Sequence, residues 1–111
     1  MDAEERLYSV IKDLCAGRVY PEKYNQGEAY PGIVYSRTGS ETFSTMCGTR
    51  QGGKGYFRVE ILSDTLAEAK AIGFDVMDLC KDTCVIINVY NDINLELEKT
   101  TRIIELSVWD D

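Results

Sequence analysis

The chain of 111 residues has no histidine. Without imidazole, neither a Ser-His-Asp nor a Cys-His nucleophilic pair can be built. Carboxylate pairs such as Glu96 and Glu98 alternate with leucines in the manner of a solvated strand face, which does not converge two acids on one bond. Gly52-Gly53-Lys54-Gly55 lacks the spacing and the strand-loop-helix context of a phosphate-binding loop. What is left for catalysis is a cytoplasmic thiol enzyme using Cys47, beside Gly48, with Arg50 as the nearest cation in sequence to favour a thiolate. The expected protein is not an enzyme.

Basic residues are also scarce. Lys and Arg total 12 against 19 Asp and Glu, a net charge of -7, and phosphate binding needs clustered cations. A general grip on nucleic acid is therefore not expected. There is no run of about 18 apolar residues, so no membrane-spanning helix is expected. The start, Met1-Asp2-Ala3-Glu4-Glu5, is acidic and enters an amphipathic pattern directly, the opposite of a secretory signal, so the chain is expected to stay in the cytoplasm. The four cysteines are Cys15, Cys47, Cys80 and Cys84. They are expected as free thiols, because a cytoplasmic chain of this length does not need disulfides. Cys80 and Cys84 have C-x3-C spacing, but a zinc site would need all four sulfurs to converge from distant segments. No metal or cofactor is expected.

What is present is enough for one domain, residues 1–111, able to bury roughly two thirds of its unfolded surface around a single core. Residues 2 to 16 place Leu7, Val10, Ile11 and Leu14 at helical spacing, with acids in the first turn where the helix dipole favours them. Gly17 is the expected left-handed stop. A short strand follows at Arg18 to Tyr20, then a polar loop from Glu22 to Tyr30, and a second strand runs from Gly32 to about Arg37. The prolines Pro21 and Pro31 have no N–H to donate and hold the residues before them extended, so each marks a strand end.

From Thr38 to Gly55 the chain is rich in Ser, Thr and Gly and reads as a long loop. Strand 3, Tyr56 to Leu62, sets Phe57, Val59 and Ile61 toward the core. Thr65-Leu66-Ala67-Glu68 has capping-box spacing, so a second helix begins near Leu66 and carries Ala69, Ile72, Val76, Leu79 and Cys80 as its apolar stripe. Gly73 inside it costs on the order of 1 kcal/mol relative to Ala and is expected to admit a close neighbour. Cys84 to Tyr90 reads as a strand buried on both faces. Leu95 to Glu98 alternates as an edge or hairpin extension, and the last strand spans Thr101 to Trp109. The order α-β-β-β-α-β-β predicts an α+β fold: a mainly antiparallel β-sheet with two helices packed on one face.

Charge is unevenly spread along this order. Residues 36 to 58 hold Arg37, Arg50, Lys54 and Arg58 against Glu41, a local balance of +3 on a body of -10. A basic segment on an acidic body is suited to an acidic partner. Phe43, Met46, Arg50 and Lys54, all in the expected loop, are the candidate contact residues: two apolar anchors and two cations.

The helix ending at Gly17, Arg18-Val19-Tyr20-Pro21, Pro31-Gly32-Ile33-Val34-Tyr35, the strand from Tyr56 and the helix beginning Leu66-Ala67-Glu68-Ala69 together resemble the phage tail terminator, or tail completion, family. Gly32 departs from that pattern, which more often has Tyr after the second proline. The resemblance implies a homo-oligomeric ring, commonly a hexamer, that caps the tail tube protein, ends tube polymerisation and meets the head connector protein. DNA would pass through the ring without specific binding. Such a protein would be assembled in the host cytoplasm and reside at the head-proximal end of the virion tail, with no membrane partner. The alternative within virion assembly is a head-side connector or adaptor (head completion) protein. In either role function is interface geometry, and no catalytic site is implied.

Overall fold

The apolar pattern of the sequence folds as an α+β sandwich in the computed structural model, which describes residues 3–22, 30–44, 50–94 and 99–110; of these, the side chains of 41–44, 50–52, 94 and 110 are not described. Two helices, α1 (Ala3–Ile11) and α2 (Leu66–Cys80), lie against a sheet formed by β1 (Val19–Pro21), β2 (Gly32–Ser44), β3 (Arg50–Ser63), β4 (Cys84–Asn94) and β5 (Lys99–Asp110). The strand order is β1-β2-β3-β5-β4. β1 pairs with β2 in parallel, and every other pairing is antiparallel. No described helix is long and apolar enough to cross a membrane.

The core lies between helices and sheet. Leu7 and Ile11 from α1 and Ala69, Val76 and Cys80 from α2 meet Ile33, Phe57, Val59, Ile61, Ile104, Leu106 and Val108 from the strands. Burying each large apolar side chain of this kind contributes about 1.5–3 kcal/mol. α2 begins where its capping box predicts, with the Thr65 hydroxyl accepting from the Glu68 N–H at 3.2 Å. Gly73 does admit a close neighbour: a Cβ there would stand 3.2 Å from Arg102 Cγ and 3.6 Å from Ile61 Cδ1. Leu79, assigned above to the apolar stripe, instead stands exposed on the outer face.

Three expectations are corrected. The first helix ends at Ile11, short of residue 16, because the chain must reverse to bring β1 beside β2. Leu14–Gly17 make that reversal as a left-handed turn, with φ of 53° at Cys15, 55° at Ala16 and 85° at Gly17. Gly17 is left-handed as expected, but it closes this turn and does not cap the helix.

The Thr38–Gly55 loop is for the most part a hairpin. β2 continues to Ser44 and β3 starts at Arg50, with Ser40 opposite Gly55, Glu41 opposite Lys54 and Phe43 opposite Gly52. Gly55 sits at a close approach: a Cβ there would fall 2.8 Å from Phe57 Cε2 and 3.1 Å from Ala3 Cβ. Backbone pairing needs no side-chain periodicity, so a Gly- and Ser-rich pair of strands carries little pattern to read.

β4 is not buried on both faces. It is an edge strand whose Cys84 faces the core while Val85 and Ile87 are 58% and 56% exposed. Helices cover one side of the sheet, so alternate β4 residues meet solvent. The Leu95–Glu98 alternation lies outside the described residues.

Candidate functional site

The face of the sheet turned away from the helices gathers side chains that the fold of the core does not require. Residues paired across neighbouring strands share a face, so Lys54, Tyr56, Arg58 and Glu60 of β3 stand with Ile103, Glu105, Ser107 and Trp109 of β5 and with Val85, Asn88 and Tyr90 of β4. Arg58 reaches across β5, its Nε 3.3 Å from Glu60 and its NH2 3.9 Å from Asp92 on β4. Ile103, between them, is fully buried. At one end of this face Val34 and Leu62 form a second small cluster with Tyr20 and Tyr30, and Lys99 sits over the Tyr30 ring at 4.7 Å while pairing with Asp64.

A groove of about 330 Å³ crosses the strands in the middle of the sheet. It coincides with two bulges at the same level: an extra residue at Thr38 in β2 and another at Ile87 in β4. Each bulge adds an unpaired residue and turns the strand locally. The Thr38 hydroxyl donates to the Tyr56 carbonyl at 3.2 Å. Glu105 lines the groove with Tyr56, Ile87 and Asn88, is half-buried, and makes no hydrogen bond or ion pair with a described residue.

Three of the four contact candidates, Phe43, Arg50 and Lys54, lie on the strands of the hairpin. Lys54 pairs with Glu41 on one side and Trp109 on the other, and its ammonium lies 4.9 Å from the Trp109 ring centroid. Phe43 and Arg50 belong to the distal part, opposite Gly52 and Ser44. β5 ends opposite Gly53, at Asp110, so these two residues stand past the end of β5. Met46 and Cys47 lie outside the described residues.

Among the described residues, no group of three or more His, Cys, Asp or Glu side chains is placed to hold a metal ion. Cys15, Cys80 and Cys84 are free thiols. Burial pushes the Cys15 thiol up to about 11, against a smaller opposing pull from the Arg18 cation. Cys80 donates to Cys84, which raises the Cys80 pKa and lowers that of Cys84. Both are buried, so this pair packs as core and is closed to substrates.

The sequence reading did not find Glu105, the groove or the two bulges. Period-2 alternation from Ile103 through Glu105 and Ser107 to Trp109 does put these residues on one face, but which strand lies next to them is a matter of topology. The bulges had no signal in residue type.

No protein-family model matches the chain, and no curated protein sequence matches it. Solved structures do share the fold. In the structure described as "Virion of native gene transfer agent (GTA) particle", one chain is similar with a TM-score of 0.68 and 11% sequence identity, over 98% of this chain and 91% of that one. A likeness at that identity is one of fold.

Proposed function

We propose that this chain is a structural protein of a phage-like virion, and within the virion a ring, six-membered, that caps the tail tube and meets the head connector. The observation that carries the reading is the fold shared along nearly the whole chain with a chain of a gene transfer agent virion. The sequence resemblance to tail terminators points the same way. β1 and β4 end the sheet within the chain, and such edges invite neighbours. Phe43, Met46, Arg50 and Lys54 are the contact set for the tail tube. The acidic balance outside residues 36 to 58 lets DNA pass the ring without being held.

Native mass spectrometry of the purified protein, with electron microscopy of the protein alone and mixed with tail tubes, tests this. Six-membered rings, free or seated on tube ends, are expected. A protein that is monomeric at micromolar concentration and leaves tube ends bare would defeat the ring reading. Binding to portal complexes with no affinity for tubes would move the protein to the head side, as a connector or adaptor.

A further inference from the structure

We infer that the side chains of Asn88 and Asp92 close the β4 edge of the sheet to an added strand. An open edge presents backbone N–H and C=O groups with which a strand of another chain can pair. On β4 the Val89 N–H donates to Asn88 Oδ1 at 3.0 Å, and the Ile93 N–H donates to Asp92 Oδ1 at 2.8 Å. Residues 89 and 93 are four apart in one strand, so their N–H groups point to the same side. Both are taken by side chains of β4 itself and not by β5, which puts them on the outer side. A docking strand would find these donors occupied. The bulge at Ile87 turns the strand just before this stretch, and a bulged edge is a poorer template for pairing.

The strand at the opposite end of the sheet shows why β4 is the one that needs guarding. β1 has three residues where β4 has eleven. The Ile33 N–H donates to the Arg18 carbonyl and the Glu22 N–H to the Tyr35 carbonyl, both at 2.9 Å. In a parallel strand alternate residues turn both backbone groups to one side, so Arg18, Tyr20 and Glu22 serve β2 while Val19 and Pro21 face outward. Proline has no N–H to offer, so β1 is blunted by its own sequence. One consequence for assembly rests on the ring reading: a neighbouring copy meets the β4 edge through side chains, and each sheet keeps its own five strands.

Removing the two acceptors tests the closure. In the double variant, N88A with D92A, the Val89 and Ile93 amides lose their partners, and alanine adds no large apolar surface to cause association of another kind. In dilute solution these amides should exchange with solvent about fivefold faster than in the wild type, the factor that a hydrogen bond of ordinary net strength gives. As concentration rises the variant should form oligomers in which the same amides become protected by roughly tenfold or more, because β4 now pairs with a second strand. Asp92→Asn keeps the acceptor oxygen and removes the charge, so it should behave as the wild type, which separates capping from charge repulsion. Urea denaturation reports whether each variant is folded. A folded double variant that matches the wild type in exchange and association would overturn the closure. Should the double variant not fold, Asn88→Ala and Asp92→Ala taken singly carry the test, and unchanged exchange at Val89 in the first and at Ile93 in the second would overturn it. Wild-type rings in which both amides become as protected as those of β5 would overturn it as well. A wild type that never self-associates defeats the ring reading alone, since the variants test the edge without it.

Discussion

The Lys54 ammonium lies 4.9 Å from the centroid of the Trp109 indole, joining β3 to β5 at the end of the sheet from which the hairpin extends. Trp109 is the single tryptophan and is half exposed, so its fluorescence reports this place alone. Lys54→Met should change the emission intensity and lower stability by about 0.5–1 kcal/mol, the scale of an exposed cation–π contact. An unaltered spectrum would show that the ammonium leaves the ring in solution. Assembly that covers the sheet face should shift the wild-type emission to the blue as concentration rises.

Gly55→Ala should be costly. The new Cβ would press on the Phe57 ring and on Ala3 of α1, and overpacking of this kind costs about 1–3 kcal/mol. Gly17→Ala has open space around it and should lose only about 1 kcal/mol, from its left-handed backbone. Urea midpoints in the reverse order would contradict the close approach of α1 to β3.

Thr65→Ala removes the hydroxyl that accepts from the Glu68 N–H and should cost about 1 kcal/mol. Thr65→Ser should restore most of it. Equal midpoints for the two variants would mean that the methyl group, and not the cap, is what matters.

Arg58 and Asp92 make a long ion pair on partly exposed side chains, so Asp92→Asn should change stability by less than about 0.5 kcal/mol. Arg58→Ala should cost more, about 1–2 kcal/mol, because the arginine stem crosses the strand at buried Ile103 and its loss wets apolar surface. Arg58→Met would then recover part of the difference. A Met variant as weak as the Ala variant would assign the effect to charge.

The Cys15 thiol has a folded value of about 11 against an ordinary 9.0, so the folded state holds this proton more tightly than the unfolded one. Its contribution to stability is complete below pH 9 and is lost as pH rises through 11. Stability should fall across that window, and Cys15→Ala should make the fall shallower. Tyr35, whose pKa burial also raises, keeps some decline in the variant. An identical slope in both proteins would remove Cys15 from the account.

Local chemistry decided much of this protein by itself. Thr65 and Glu68 set the start of α2, Gly17 took a left-handed turn, the prolines bounded β1 and β2, and the alternation of Phe57, Val59 and Ile61 chose the core face of β3; each depends on residues a few positions apart. The lack of histidine likewise decided, before any folding, that the chain could not build an imidazole-based site. Tertiary structure decided the rest. Cys84 to Tyr90 became an edge with one wet face because β5 inserted between β3 and β4, an ordering that no periodicity within a strand encodes. The glycines around Gly55 became strand because their backbone groups found partners on β2, and backbone pairing is indifferent to side chains. The groove at Glu105 exists because bulges on β2 and β4 fall at one level across two intervening strands, a coincidence between segments some fifty residues apart.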